Sequence, residues 1–313
     1  MNNARIVAEG LRFPEGPVAL PDGSVLVTEM IEARRISRIS PDGTVGVVAE
    51  TGGGPNGAAL GPDGKLYVCN NGGFASTDLG GLLLPFGPHG VTEPDDYVGG
   101  SIQRVDMDTG EVETLYTECE GHRLRGPNDI VFDGDGGFWF TDHGKVRERE
   151  EDRGAVYYAR ADGSSITEPI FPLQSPNGIG LSPDGQRLYA AETHTGRLWA
   201  WDVTGAGEVA KTAPFGAGGT LIAGPPGHQL FDSLGIEEGG NVCVATLAVG
   251  GITVISPDGD VEYVPVPDQF ADPLVTNICW GGDDRRTAYV TLSGTGRLLA
   301  CDWPRPGLRL AFC

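Results

Sequence analysis

Four polar residues have the side-chain types of a cation site: Glu15, Asn128, Asn177 and Asp232. Together they offer two carboxylates and two amides, so every donor is oxygen and none is Cys or His. Such a set suits a hard divalent cation, Ca²⁺ first, with Mg²⁺, Mn²⁺, Fe²⁺ and Zn²⁺ as alternatives. Two negative charges leave a divalent site close to neutral, and four protein ligands leave positions for water and a substrate. This pattern indicates a Lewis-acid hydrolytic centre.

The same polar position recurs through the chain, which is the reason to group these residues. A single Asn or Asp after Pro is more often a turn residue that bonds its own backbone. Here a polar residue, a short apolar strand, a Gly-rich turn and a second strand follow one another six times. The six polar residues, called anchors below, are Glu15, Asn56, Asn128, Asn177, Asp232 and Asn277.

The spacing of the anchors predicts the fold. Successive anchors are 41, 72, 49, 55 and 45 residues apart, a period typical of propeller blades. We therefore expect an all-β, six-bladed β-propeller with four antiparallel strands per blade, formed by residues 1–313 as one domain. Each anchor should begin the innermost strand of its blade, so that ring closure gathers the anchors around the central channel. The tight hairpins should lie at the opposite end.

Three other segments carry expectations. Residues 4–10 should close the ring by pairing beside 297–302 or 308–312, which removes exposed sheet edges. Residues 72–100 are Gly-rich with an apolar run at 82–86, and we favour an active-site lid over a disordered insert. Residues 144–152 form a run of charged residues, which predicts a solvated rim.

Composition excludes several classes of function. The net charge of −21 argues against nucleic acid as a partner. No secretory signal and no apolar run of membrane length appears, and Cys69, Cys243, Cys279 and Cys301 fall inside predicted strands without a CxxC pair. These features predict a cytoplasmic protein with reduced thiols and no membrane partner, and they leave the oligomeric state open.

Four motifs resemble the SMP-30/gluconolactonase family: FPEGP at 13–17, GPND at 126–129, the stretch 175–193 and the stretch 276–291. The resemblance implies a six-bladed propeller with one divalent metal in the channel. It assigns Glu15, Asn177 and Asp232 as ligands, with Asn128 as a fourth ligand that is direct or water-bridged. The related diisopropyl fluorophosphatases have a similar set, and Ser233 after Asp232 resembles the Drp35-type lactonases.

The expected activity is metal-dependent opening of a small lactone, such as a sugar lactone, by water. The metal would polarise the carbonyl, and Asp232 or Asp129 would act as general base. The residues expected to bind the substrate are Asn56, Arg125, His143 and Asn277. Two alternatives stay open: phosphotriesterase or esterase activity at the same metal, and a non-catalytic binding propeller. No GxSxG or SxxK signature of a covalent serine mechanism occurs.

Overall fold

The computed structural model describes residues 1–214 and 216–312, and within these the chain is built from β-strands. The helical content of this described part is two 3₁₀ turns, Pro88–Gly90 and Asp268–Phe270. Neither turn is long or apolar enough to cross a bilayer. The 50 glycines and 23 prolines suit this architecture, because each hairpin needs backbone conformations that Gly and Pro supply.

The chain folds as a six-bladed β-propeller, as the anchor spacing predicts. It begins with strand β1 (Asn2–Ala8). Blade 1 contains β2 (Pro14–Ala19), β3 (Val25–Glu29), β4 (Arg35–Ile39) and β5 (Val45–Glu50). Blade 2 contains β6 (Pro55–Leu60), β7 (Leu66–Asn70), β10 (Ser101–Val105) and β11 (Val112–Tyr116). Blade 3 contains β14 (Pro127–Phe132), β15 (Gly137–Asp142), β16 (Gly154–Arg160) and β17 (Ile166–Leu173).

The second half of the chain repeats this plan with one addition. Blade 4 contains β18 (Pro176–Leu181), β19 (Arg187–Glu192), β20 (Arg197–Gly205) and β22 (Thr220–Ala223), and the short β21 (Glu208–Val209) also pairs with β20. Blade 5 contains β23 (Leu230–Ile236), β24 (Val242–Leu247), β25 (Gly251–Ile255) and β26 (Val261–Pro265). Blade 6 contains β27 (Val275–Gly281), β28 (Thr287–Leu292) and β29 (Arg297–Asp302). The extra strand makes blade 4 five-stranded, where the sequence predicted four.

The N-terminal strand closes the ring. β1 pairs antiparallel with β29 and supplies the fourth strand of blade 6, with Arg5 opposite Ala300. Of the two pairing sites predicted for residues 4–10, the one at 297–302 is confirmed. The first and the last strand of the propeller thus lie in one sheet.

The innermost strands form a continuous ring around the channel. They are β2, β6, β14, β18, β23 and β27, and each contacts the next, with β27 returning to β2. Each of them carries a β-bulge next to its anchor. In blades 2 to 5 the anchor and the following residue together oppose a single residue of the second strand. A bulge bends its strand and re-aims side chains, so the anchors share one local geometry.

Two glycines show how tightly the inner strands approach. A Cβ on Gly57 would lie 2.5 Å from the Asn128 carbonyl oxygen, and one on Gly178 would lie 2.6 Å from the Leu234 nitrogen. Each glycine follows an anchor and contacts the inner strand of the adjacent blade. Any larger residue there would push neighbouring inner strands apart.

The core lies between adjacent blades and is rich in aromatic side chains. Between blades 2 and 3, the Tyr67 ring meets Phe132 edge-on with ring centroids 5.0 Å apart, and Phe132 lies 5.2 Å from Phe138. Such tilted and edge-on pairs add to the area burial that holds blades together. Cys69, Cys243, Cys279 and Cys301 lie in β7, β24, β27 and β29 as reduced cysteines, in agreement with the sequence interpretation.

The segment 72–100 and the segment 144–152 lie together on the anchor side of the ring. The first contains a short ladder of β8 (Thr77–Asp78) and β9 (Leu83–Leu84). The second is a solvated rim only in part, because residues 148–151 are exposed but residues 144–147 are not. The Val146 amide donates to Thr92 Oγ1 (2.8 Å) and Arg147 contacts Glu93 (3.0 Å), so the two segments pair with each other. A short ladder of β12 (Glu118–Cys119) and β13 (His122–Arg123) precedes blade 3.

The C-terminal segment crosses the opposite end of the channel. Gly307 bridges to Glu237 of blade 5, and the Leu308 amide donates to the Ile236 carbonyl at 2.8 Å. At the far end, the Phe312 ring packs edge-on against Phe132 of blade 3, with centroids 5.5 Å apart. The segment therefore spans from blade 5 to blade 3 across the hairpin end of the ring.

Candidate metal centre

All six anchors are buried at the start of the inner strands. Their exposed fractions range from 3% for Glu15 to 7% for Asp232. The Pro that precedes four of them opens the strand, where its missing N–H costs no ladder bond. The structure therefore brings Glu15, Asn128, Asn177 and Asp232 to one end of one channel, together with Asn56 and Asn277.

Three anchors carry a buried oxygen that no protein group satisfies. Within residues 1–214 and 216–312, Glu15 Oε2, Asn56 Oδ1 and Asn128 Oδ1 have no hydrogen-bond partner. Buried polar atoms normally find partners, and each exception needs an explanation. All three atoms are acceptors, and they come from the consecutive blades 1, 2 and 3. A cation or a donor from a substrate is what such a group lacks.

The other three anchors use an oxygen within the protein. Asn177 Oδ1 accepts from Ser233 Oγ at 3.3 Å, and its amide nitrogen donates to Thr193 Oγ1 at 3.2 Å. Asp232 Oδ1 accepts from the Ser233 amide at 3.0 Å. Asn277 Oδ1 accepts from the amide of the next residue at 2.8 Å. The Asp232 carboxylate also has a side-chain hydrogen bond with Asn177, which lowers its pKa against the effect of burial.

Three carboxylates from alternate blades repel one another across the channel. Burial and then the nearby Asp232 raise the pKa of Glu15 well above its usual value. Burial raises the pKa of Asp232 to about 8 and that of Asp129 to about 7. Each of these side chains is removed from water without a cationic side chain beside it. A divalent cation bound among them would offset both the repulsion and the lost hydration.

Asp129 lies at a different depth along the channel from the anchors. It is the second residue of the blade 3 bulge, and its carboxylate accepts from the Ile130 amide at 3.0 Å. Backbone N–H groups of Ile179 and Leu234 also lower its pKa against the effect of burial, which places it against blades 4 and 5. The Asp129 carboxylate thus links the inner strands of blades 3, 4 and 5.

A cavity lies at the hairpin end of the ring, on the other side from the anchors. It has a volume of about 1050 Å³ and is lined by the hairpin ends of the blades and by the C-terminal segment. Asp129 and Asn277 line it, whereas Glu15, Asn128, Asn177 and Asp232 do not. The candidate metal centre therefore belongs to the anchor side, beneath the segment 72–100.

Acidic residues at the ends of the second strands have a structural role. Asp142 accepts from the amides of Arg125 and Gly126, both at 2.7 Å. Glu192 accepts from the Gln174 amide at 2.8 Å, and Glu29 accepts from the Arg12 amide at 2.8 Å. Each therefore fixes the chain as it enters the inner strand of the same blade.

His143 lies beside the segment 72–100 as a buried neutral imidazole. Its ring meets Phe74 with centroids 6.4 Å apart and His194 at 5.7 Å. Burial, with a smaller effect from His194, lowers the pKa of His143 to about 3. Of the remaining expected substrate residues, Arg125 is exposed, and its backbone oxygen accepts from the Tyr97 hydroxyl at 2.6 Å.

Sequence reasoning missed two groups near the centre. Met30 is buried beside Asn56, and its sulfur accepts from the side-chain amide of Asn71 at 3.1 Å. Lys145 is only 1% exposed, donates to the Gly73 carbonyl at 2.5 Å and lies 3.8 Å above the Phe74 ring. Both residues follow the end of a second strand. That shared position is the signal that could have drawn attention to them.

The donor set fits a hard cation better than a soft one. Among the described residues, no group of three or more His, Cys, Asp and Glu side chains is arranged to hold a metal. A cation here would need the amide oxygens as well as Glu15 and Asp232. Oxygen-rich sites that mix carboxylates with amides are typical of Ca²⁺. The unsatisfied oxygens of Glu15 and Asn128 agree with this.

Comparisons with known proteins address the family. Residues 13–294 match the family model described as the SMP-30/Gluconolactonase/LRE-like region. This match covers most of the propeller and confirms the resemblance that the four motifs indicated.

Two curated relatives are named as lactonases. The chain is 31% identical to lactonase drp35 of Staphylococcus saprophyticus over 240 residues, which cover 76% of this chain and 62% of that protein. It is 25% identical to the gluconolactonase of Zymomonas mobilis over 319 residues, which cover 92% of this chain and 78% of the relative. The match to the first relative thus spans less than two thirds of its length.

A solved structure confirms the fold. The calcium-binding protein regucalcin of Agrobacterium tumefaciens superimposes with a TM-score of 0.71 at 19% identity, covering 99% of this chain and 98% of that one. At this identity the likeness concerns the propeller architecture alone.

Proposed function

Because the chain belongs to the SMP-30/gluconolactonase/LRE-like family, we propose that it is a cation-dependent hydrolase that opens a small lactone to its hydroxy acid. Two curated relatives bear the names lactonase and gluconolactonase, which supports this reaction class. The observation that carries the proposal is the set of buried oxygens without donors on Glu15, Asn56 and Asn128. A scaffold for protein binding needs no such convergence of unsatisfied acceptors.

In this proposal Glu15, Asn128, Asn177 and Asp232 hold one divalent cation, Ca²⁺ being the best match to their oxygens. A bound cation would supply Lewis acidity towards the carbonyl oxygen of the lactone. The charge of Glu15 and Asp232 balances a divalent ion. The neutral amides of Asn128 and Asn177 complete the protein's share of the ligands without adding negative charge.

The chain's own residues would then orient the lactone and accept a proton. Asp232 and Asp129 are the two candidate bases, and only Asp129 lies outside the proposed ligand set. Asn56 and Asn277 offer amide groups beside the cation, and neutral His143 offers a hydrogen-bonding edge. Arg125 is placed at the rim, where an incoming polar substrate would meet it first.

We further propose that residues 72–100 act as a lid over this centre. The segment starts after β7, contacts His143 of blade 3 through Phe74 and reaches blade 6, where the Leu83 amide donates to the Gly294 carbonyl at 2.8 Å. Leu83 packs with Phe13 and Leu274 in an apolar cluster. Such a cover would exclude water and present apolar surface to the substrate.

The test is a hydrolysis screen of the purified protein with saturating Ca²⁺. The release of acid is measured with a pH indicator in a weakly buffered solution. The panel contains gluconolactone, xylonolactone, aliphatic γ-lactones and a phosphotriester. The proposal predicts turnover of at least one lactone class well above the spontaneous rate. Turnover of the phosphotriester alone would contradict it and favour the phosphotriesterase alternative. No turnover of any compound by protein that binds the cation would favour the binding propeller.

A further inference from the structure

Asn56 differs from the other amide anchors in how its side chain is held. Its oxygen has no donor, although the residue is only 4% exposed. Asn277, at the same position in blade 6, uses its oxygen for the amide of Ile278 at 2.8 Å. The two residues are therefore not equivalent: one amide oxygen is used by the backbone and the other is free.

The free oxygen lies between two others. In the ring, β6 contacts both β2 and β14, so Asn56 stands between Glu15 and Asn128, the two further anchors with an unsatisfied oxygen. The backbone positions are tightly set, because Thr28 Oγ1 donates to the Asn56 carbonyl at 2.8 Å. Three adjacent blades thus each present one unsatisfied acceptor at the same level of the channel.

The sulfur of Met30 fixes which way the Asn56 amide is turned. Asn56 Nδ2 donates to Met30 Sδ at 3.5 Å, and Asn71 Nδ2 donates to the same sulfur at 3.1 Å. A thioether accepts but cannot donate, so it selects the nitrogen of Asn56 and leaves the oxygen on the other side. Asn71 is held in turn, because its Oδ1 accepts from the Gly73 amide at 3.0 Å.

We infer that Asn56 is a further oxygen ligand of the divalent cation, and that Met30 is the positioning residue that turns its amide oxygen towards the ion. The inference rests on the cation site of the proposed function and adds a fifth protein oxygen to it. A fifth ligand brings the protein's share closer to the six to eight oxygens that Ca²⁺ takes.

The test measures Ca²⁺ affinity by titration calorimetry on chelator-treated protein without substrate. Asn56→Leu should weaken the affinity about tenfold or more, and Met30→Leu should weaken it in the same direction, since loss of an orienting partner costs about 10–100-fold. Asn56→Asp adds a negative charge at the same place and should tighten binding. Circular dichroism and thermal melting verify that each variant is folded.

One matched variant serves as the control. Met107→Leu makes the same exchange as Met30→Leu at a partly buried methionine between blades 1 and 2. It should keep the wild-type affinity within about twofold, a small step on the same scale.

The outcomes separate the inference from the proposed function. Wild-type affinity in both Asn56→Leu and Met30→Leu, or weaker binding in Asn56→Asp, would overturn the assignment while leaving the four-ligand site intact. Wild-type protein that binds no divalent cation would instead overturn the cation site of the proposed function itself.

Discussion

At the scale of single residues, the proposed cation site contains buried polar groups that lower the stability of the fold when no cation is bound. Glu15 is 3% exposed and one of its oxygens has no partner, with Asp232 and Asp129 near enough to raise its pKa further. A buried carboxylate without a cation costs stability, whereas the same group with a divalent ion gains it. The cation-free and cation-loaded proteins should therefore respond in opposite ways to the loss of this charge.

Glu15→Gln tests that reversal. In chelator the variant should be more stable than the wild type by about 1–3 kcal/mol, since a neutral amide costs less to bury. With Ca²⁺ at saturation this gain should be cancelled or reversed, because a 100-fold weaker affinity forfeits about 2.7 kcal/mol of linked stability. Thermal or urea unfolding in both conditions provides the measurement. A variant that is less stable in chelator as well would argue that Glu15 has a structural partner.

His143 makes a prediction about pH. Its folded pKa is about 3, against an ordinary value of 6.5, so the unfolded chain binds more protons between these values. Stability should therefore fall as pH drops below 6.5, by about 1.4 kcal/mol per unit for this group. His143→Gln should remove this contribution, so that the loss between pH 7 and pH 5 is about 2 kcal/mol smaller. Urea unfolding at the two pH values measures it, and His228→Gln, at an exposed position, should behave as the wild type.

At the scale of elements, the proposed lid is held by groups that a sequence pattern does not identify. The charge run 144–152 looks like solvated surface, but Lys145 within it is buried beneath the start of the lid. Its amine bonds the Gly73 carbonyl and lies over Phe74. Burial lowers the pKa of Lys145 well below its usual value, partly countered by Asp142 and Glu93. Charge alone predicts exposure, and only tertiary packing reveals the exception.

Lys145→Met should loosen the lid without unfolding the blades. It removes the hydrogen bond to Gly73 and the contact with Phe74 while keeping an unbranched side chain. Hydrogen exchange should quicken in 72–100 and stay unchanged in the inner strands. Lys65→Met is the matched control, because Lys65 forms only a surface pair with Asp106 at 3.3 Å. Equal exchange in 72–100 for both variants would show that Lys145 does not anchor the segment.

The bulges of the inner strands are the feature that the sequence does not predict. The repeat of a polar residue and a short strand predicts where each inner strand begins. In the structure the anchor is the second residue of its strand in blades 1 to 4 and the third in blades 5 and 6. The two-residue bulge that follows the anchor in blades 2 to 5 has no such signature. In blades 2 and 4 the second bulge residue is Gly57 or Gly178, which closely approaches the inner strand of the next blade, a contact that exists only in the closed ring.

At the scale of the whole molecule, two features hold the ring of blades together. The pairing of β1 with β29 was predictable from a lone strand before the first repeat. The second feature is the C-terminal segment, which Glu237 attaches to blade 5. Glu237 is fully buried and accepts from Trp303 Nε1 at 2.7 Å, Arg305 Nε at 2.5 Å and Asn241 Nδ2 at 2.8 Å. These partners are far apart in sequence, so no local pattern indicates them.

Glu237→Gln tests how much this attachment contributes to the free energy of unfolding. The substitution preserves shape but removes the charge that Arg305 and Trp303 meet in the buried network. We expect a loss of about 1–3 kcal/mol in the free energy of unfolding, less than for a fully buried ion pair because the Arg305 side chain is 38% exposed. Glu262→Gln is the control, since Glu262 approaches the same arginine at 3.8 Å but is exposed. Urea unfolding measures both, and equal effects would contradict the special role of Glu237.

The central claim is that lactone hydrolysis depends on a divalent cation held by Glu15, Asn128, Asn177 and Asp232. The most direct test follows the initial rate of gluconolactone hydrolysis by chelator-treated protein as Ca²⁺ is added. The account predicts no rate above the spontaneous one without the ion, restoration at one ion per chain, and no restoration in Asp232→Asn. A full rate in protein shown by elemental analysis to be free of divalent metal would contradict it.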